Sequence, residues 1–296
     1  MNAKLRVWGG VLVTAVALAC ASCGSGATAA TGQVPARPVA DVQVHQPTAT
    51  QAAAVTRFGE NLFIQMLGGD PNPVISPLSV FIALGMAYDG AKGDTAQAFQ
   101  DVLGMSAADA RASAAYLLTK LNSEQAGTTV STVNSAWLDD SMHPAQDWVD
   151  RLAAYYQAQV FNTDLQGSGA VKDVNNWISD ATKGLIPKML DKIDPDAAAL
   201  LVNALYLKAA WAEEFDTNDT HQQSFDRADG SQVQAWFVSA PLETRRYIHT
   251  ADAEGVVLPY KDGRLAFMAV MPTSGDLALS GGDLTRWLGA AVDRDN

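Results

Sequence analysis

The side chains best suited to chemistry in this 296-residue chain are four histidines, a short aspartate cluster and two cysteines. His45, His143, His221 and His249 are scattered, with no HExxH and no i,i+4 pair, so no helix face collects the imidazoles a metal site needs. Asp191, Asp194 and Asp196 lie close together, but Pro195 interrupts them and no EF-hand loop follows, which reads as a solvated loop. The sequence holds no Walker A motif, no dinucleotide glycine fingerprint and no GxSxG elbow, so nucleotide use and hydrolysis have no support. The expectation is a protein without catalytic residues, metal or cofactor.

Cys20 and Cys23 are the only cysteines, so no disulfide framework is available to a folded domain. They form a CxxC string, but a redox role would require a following helix in a βαβ context. Lys4 and Arg6 precede the apolar run Val7 to Ala19, which is too short to span a bilayer, and Cys20-Ala21-Ser22-Cys23-Gly24 follows. This pattern reads as a secretory signal over residues 1–22. The site resembles a bacterial lipoprotein cleavage site with Cys23 as the lipid attachment; Cys20 is the other candidate, and simple secretion by cleavage nearby is the alternative. The expected location is exported, lipid-anchored on the outer face of the cell membrane, or extracellular. Residues 23–50 carry only Arg37 and Asp41 as charges and show no period of 2 or 3.6. They read as a flexible tether of roughly 30 Å r.m.s. length.

A net charge of −12 argues against nucleic acid as a partner and against docking on an anionic bilayer through a basic patch. With 48% hydrophobic residues the chain can bury a large core, and its length favours one domain. Val55, Phe58, Leu62 and Met66 recur at helical spacing up to Gly68-Gly69. A turn at Asp70-Pro71-Asn72 and a short buried strand at Val74-Ile75 are expected next. Ser76-Pro77 starts a helix that Gly90 closes; Asp94 caps the next, with Gln97 at capping-box spacing and Gly104 at its end. Ala107 to Leu121 is a fourth helix with ambiguous ends. Thr128 to Leu138 suits a strand, Trp148 to Gln159 a helix, Val160 to Leu165 a strand and Val171 to Ala181 a helix. Leu200 to Lys208 is apolar enough for a strand buried on both faces. From Phe215 to Pro272 short strands alternate with Asp/Gly turns, including a pair around Lys261-Asp262-Gly263. Helices leading and strands dominating later suggest an α+β class, with helices packed on large, mostly antiparallel sheets.

Three separated blocks carry a resemblance. The first is NPVISPLSVFIALGMAYDGAKGDTAQAFQDVLG from Asn72 to Gly104. The second joins VNNWISDATKGLIPKML from Val174 to Leu190 and LLVNALYLKAAWAEEF from Leu200 to Phe215. The third is VVLPYKDGRLAFMAVMP from Val256 to Pro272. In order and separation, over about Ala52 to Trp287, the chain resembles the serpin family. The resemblance implies that Leu200 to Lys208 is the third strand of the main sheet and Thr128 to Leu138 its second. Ser76 and Ser79, with Asn203 near them, would form the shutter beneath the sheet centre, and Trp211 would lie at the breach where an inserted loop enters. These four would control sheet opening, or serve only their local structure. Asn203, a polar residue in an apolar strand, needs a buried partner in either case.

The resemblance implies irreversible inhibition of serine or cysteine proteases: a cleaved reactive loop inserts as a new strand and the protease is trapped, so the protein is not an enzyme. The partners expected are an extracellular serine or cysteine protease and the membrane through a lipid anchor, with no nucleic acid. After the helix near Leu284 to Leu288 the family continues with further strands, a hinge and the reactive loop. The sequence to Asn296 shows none of these, so the expectation is a C-terminally truncated serpin domain over 51–296. The alternative is a non-inhibitory surface lipoprotein or an inactive truncated remnant; an extracytoplasmic enzyme is a third, weaker reading.

Overall fold

The computed structural model describes residues 32–40, 42, 44–67, 73–227, 229–239, 244–273 and 279–295. The signal peptide, Cys20, Cys23 and the turn at Asp70-Pro71-Asn72 lie outside them. The chain forms two compact units. The first takes the described residues up to Glu124, then Thr129–Leu207 and Ser280–Gly282; the second takes Gln125–Thr128, Lys208–Leu279 and the residues from Asp283 onward. Among the described residues the first unit holds two buried apolar clusters and the second unit one.

The first unit begins with β1 (Gln33–Val34) and the helices α1 (Ala49–Leu67), α2 (Pro77–Tyr88), α3 (Gly93–Leu103) and α4 (Ala107–Leu121). Next come β2 (Ser123–Gln125), β3 (Thr128–Asp139), α5 (Gln146–Tyr156), β4 (Ala158–Thr163), α6 (Ala170–Ala181) and β5 (Ala199–Lys208). The strands form a five-stranded sheet of order β1-β4-β3-β2, with β5 also paired to β3. That adjacency is the one the resemblance implied for its second and third strands. Ser76 caps α2: its hydroxyl accepts from the Ser79 N–H, and Pro77 takes the first helical position, where a missing N–H costs nothing. Ser106 does the same for α4 through the Asp109 N–H. Phe81, Ile82, Met86, Leu103, Leu118, Leu152 and Tyr156 are fully buried where α2 to α5 meet, each apolar side chain contributing about 1.5–3 kcal/mol.

A buried carboxylate ties three of these helices together. Asp89, at the end of α2, receives Arg111 Nη1 of α4 at 2.5 Å, and Arg151 of α5 donates to the Asp89 carbonyl at 3.1 Å. Burial raises the Asp89 carboxyl, and the two guanidiniums pull it only part of the way back. The Tyr156 hydroxyl beside it is pushed well above the ordinary tyrosine value, first by burial and then by Asp89.

The second unit contains the antiparallel pair β6 (His221–Asp226) and β7 (Gln232–Phe237). It also contains a four-stranded antiparallel sheet of β8 (Thr244–His249), β9 (Ala253–Pro259), β10 (Ala266–Pro272) and β11 (Val292–Asp295), in the order β10-β9-β8-β11. Helix α7 (Asp283–Ala290) buries Trp287 against Ile248, Ala253 and Val257. Arg286 grips both oxygens of Asp252 at 2.7 and 2.8 Å and holds that carboxyl well below the usual range. The seven α-helices and the sheets among the described residues make the α+β class expected.

Several expectations are corrected. Val74-Ile75 is not a strand, and Val74 is 75% exposed, because Pro73 and Pro77 bracket it and remove ladder donors. Asp94 does not cap α3: Lys92 is the flanking residue, Asp94 lies in the first turn, and Gln97 bonds forward to Asp101. The helix expected up to Gln159 stops at Tyr156, because Gln157 adopts a left-handed conformation (φ 52°) and β4 begins at once. β5 buries only Val202 and Ala204 rather than both faces. As for the tether, residues 32–37 are docked rather than free. Gln33 and Val34 pair antiparallel with Phe161 and Val160, and the Asn162 N–H donates to the Gly32 carbonyl at 2.8 Å.

Arg37 completes the docking: its backbone N–H and Nε bond the two carboxylate oxygens of Asp150 at 2.7 and 2.8 Å. Desolvation alone would raise the Asp150 carboxyl, but the Arg37 N–H and guanidinium, with the Gln146 amide, outweigh it and hold it at about 2. A depressed folded value means that this contact contributes fully above the ordinary aspartate value of 3.8 and is lost as pH falls through about 2. An NMR titration of the Asp150 carboxyl should therefore give a midpoint near 2 in the native chain, and Arg37→Ala should raise it only part of the way to the ordinary value, because the backbone N–H of residue 37 and the Gln146 amide still bond the carboxylate.

Candidate functional site

The centre of the first unit's sheet is polar where an apolar seam would be expected. β3 is buried from Val130 to Leu138, yet carries Ser131, Thr132, Asn134 and Ser135. Asn134, 1% exposed, donates from Nδ2 to the Tyr156 carbonyl at 2.7 Å and accepts at Oδ1 from Asn203 Nδ2 of β5 at 2.6 Å. Asn203 thus has the partner its sequence position demanded, although it is itself only half-buried. Its own Oδ1 has no partner, and neither have the hydroxyls of Ser131 and Thr132. An unmet buried polar group costs about 1–3 kcal/mol, so these three groups lower the stability of the sheet they lie in.

Ser76 and Ser79 form a second polar pair in the same unit, their hydroxyls 2.7 Å apart at the start of α2. No hydrogen bond among the described residues joins this serine pair to the asparagine pair. Trp211 belongs to the second unit, where its ring stacks on Tyr260 at 4.8 Å and meets Phe215 and Phe267 edge-on. Asn134 and the Tyr156 carbonyl went unnoticed in the sequence. The available signal was an amide in the middle of a strand rich in Thr, Val and Ser.

Nothing here is arranged as a catalytic centre. No group of three His, Cys, Asp or Glu among the described residues could hold a metal. A His–carboxylate contact, His249 Nδ1 to Glu254 Oε1 at 3.2 Å, is an exposed cross-strand pair on β8 and β9. It lies on an open groove with Tyr247, Val256, Ala269 and Met271, with no nucleophile beside it.

The family model for the serpins (serine protease inhibitor) matches residues 53–290. A serpin-like protein of Thermococcus kodakarensis is 28% identical over 239 residues, which is 78% of this chain and 55% of that protein. Serine protease inhibitor 42Dd of Drosophila melanogaster is 30% identical over 209 residues, covering 68% of this chain and 56% of the inhibitor. Among solved structures, the thermophilic serpin tengpin in its native state superimposes with a TM-score of 0.76 at 26% identity, over 88% of this chain and 67% of tengpin. The chain belongs to the serpin family. It spans about half the length of the curated relatives it matches. Serpins generally act on proteases, and are for the most part inhibitors rather than catalysts.

The seam makes an ordered prediction. Asn134→Ala strands both the Tyr156 carbonyl and the Asn203 amide, and should lower unfolding stability by about 2–3 kcal/mol. Asn203→Ala removes one bond together with one already unmet oxygen and should cost about 1 kcal/mol. Urea unfolding monitored by tryptophan fluorescence checks the order as well as the sizes.

Proposed function

We propose that this chain provides the body of an irreversible inhibitor of serine or cysteine proteases, in which a cleaved loop inserts into the main sheet as a new strand on the side of β5 away from β3. Serpins are themselves a standing example of strand addition and of stored strain released by loop insertion. The observation that carries the proposal is the free side of β5: among the described residues it pairs with β3 alone, so its other edge can take a strand. A strand entering beside β5 gains a ladder of main-chain hydrogen bonds and leaves the β3–β5 pairing in place. Ser76 and Ser79 would control how that sheet opens. The loop that recognises the protease corresponds to sequence after α7 in the family, so the inhibitory protein is the product that includes such a segment. Without one, the chain is a non-inhibitory protein or a remnant. The protein does no chemistry of its own.

We also propose that it is exported and lipid-anchored through Cys23, which the basic n-region, short apolar run and cysteine support. No helix among the described residues is long and apolar enough to cross a membrane.

Incubation of the full gene product with trypsin-like, chymotrypsin-like and papain-like proteases should give a stoichiometric complex that survives SDS. Cleavage without such a complex would remove the inhibitor reading and leave the non-inhibitory one. Mass spectrometry of the mature N-terminus should show an acylated Cys23; an unmodified N-terminus elsewhere would mean simple secretion.

A further inference from the structure

Strand β4 has two edges. One pairs parallel with β3 from Asn134 to Asp139, and among the described residues the other pairs only with Gln33 and Val34. An open strand edge is a template for another strand, so whatever covers β4 determines what can add there. The covering segment fits it at three points. Gly32 has φ +92°, and a Cβ there would stand 2.3 Å from the Asn162 carbonyl oxygen, so only glycine allows this approach. Val34 packs on the apolar core beneath. Arg37 bonds Asp150, while Gln146 Nε2 bridges the Pro35 carbonyl and the same carboxylate, both at 2.9 Å.

The fit is specific but the hold is slight. Only two residues pair, and the Arg37 side chain is 65% exposed. Residues 38–48 then lead to α1 without further strand or helix among those described. A segment that is complementary, weakly held and followed by a connecting stretch can make the same contacts on another copy at little cost, and reciprocal exchange closes a two-fold dimer.

We propose that residues 32–37 are an exchangeable strap: docked on their own chain they close the outer edge of β4, and once released they add to the same edge of a second copy. The occupant follows from the fit, since the segment that matches Asn162 and Asp150 is the one already seen there. The inference is independent of protease inhibition.

Charge reversal tests it in the full chain. Arg37→Asp and Asp150→Arg each set like charges together in their own chain, while each variant matches the other across a dimer. Alone, each should be monomeric by size-exclusion light scattering, with hydrogen exchange at the Asn162 amide roughly tenfold faster than in the native chain. A 1:1 mixture should give a heterodimer in which Asn162 protection returns. A mixture that stays monomeric, or single variants with native exchange at Asn162, overturns the proposal. Gly32→Val tests it without touching the body of the unit. This variant should speed Asn162 exchange and fail to form the dimer that the native chain forms on concentration. Native protection in this variant, or a native chain that stays monomeric when concentrated, would equally overturn it.

Discussion

Strand β3 is buried along almost its whole length, and burial obliges each polar group on it to be met from inside the chain or left at a cost. Much of the first unit is arranged around that obligation. Asn134 reaches the last carbonyl of α5 and so fixes where that helix ends. The helix must end there, because β4 lies parallel to β3 and a parallel partner can be reached only by a crossover. Gln157, in a left-handed conformation, is the one residue between crossover helix and strand. On the other side of β3 the same Asn134 holds β5 through Asn203. One amide therefore positions a helix terminus and two strands. The unmet hydroxyls of Ser131 and Thr132 show that not every group on the strand is satisfied.

The sequence made the helices legible where punctuation and periodicity agreed. Ser76-Pro77 and Gly104 bound their helices as capping chemistry says they should, and Leu200 to Lys208 is a strand. It was misleading where a local signal depended on a distant partner. Asp94 with Gln97 has capping-box spacing, yet the chain enters the helix through Lys92. Val74-Ile75 has strand character, but two prolines deprive it of a ladder. The segment before α1 has no period because its order comes from one glycine and one arginine facing β4 and Asp150. Such a contact spans 113 positions and leaves no trace in local spacing. Of the four site residues named from family resemblance, Ser76 with Ser79 and Asn203 with Asn134 form bonded pairs. Asn134, the more deeply buried amide, could not be distinguished by sequence from the polar residues around it.

The apolar counterpart of the polar seam lies farther along β3. Trp137 stacks on Phe161 of β4 with centroids 4.1 Å apart and rings inclined by 15°, and Trp177 of α6 meets both edge-on at 6.4 and 6.3 Å. Its indole N–H is fixed by Gln159 at 2.6 Å. Such offset and edge-on contacts add to what burial alone contributes. They also make this corner visible to light. Two indoles at near right angles and closer than their own length share excitation, so their near-ultraviolet dichroism depends on whether β3, β4 and α6 keep their mutual register. Trp211, in the second unit, stacks on Tyr260. The first unit therefore carries a chromophore of its own, through which its sheet can be followed without any label.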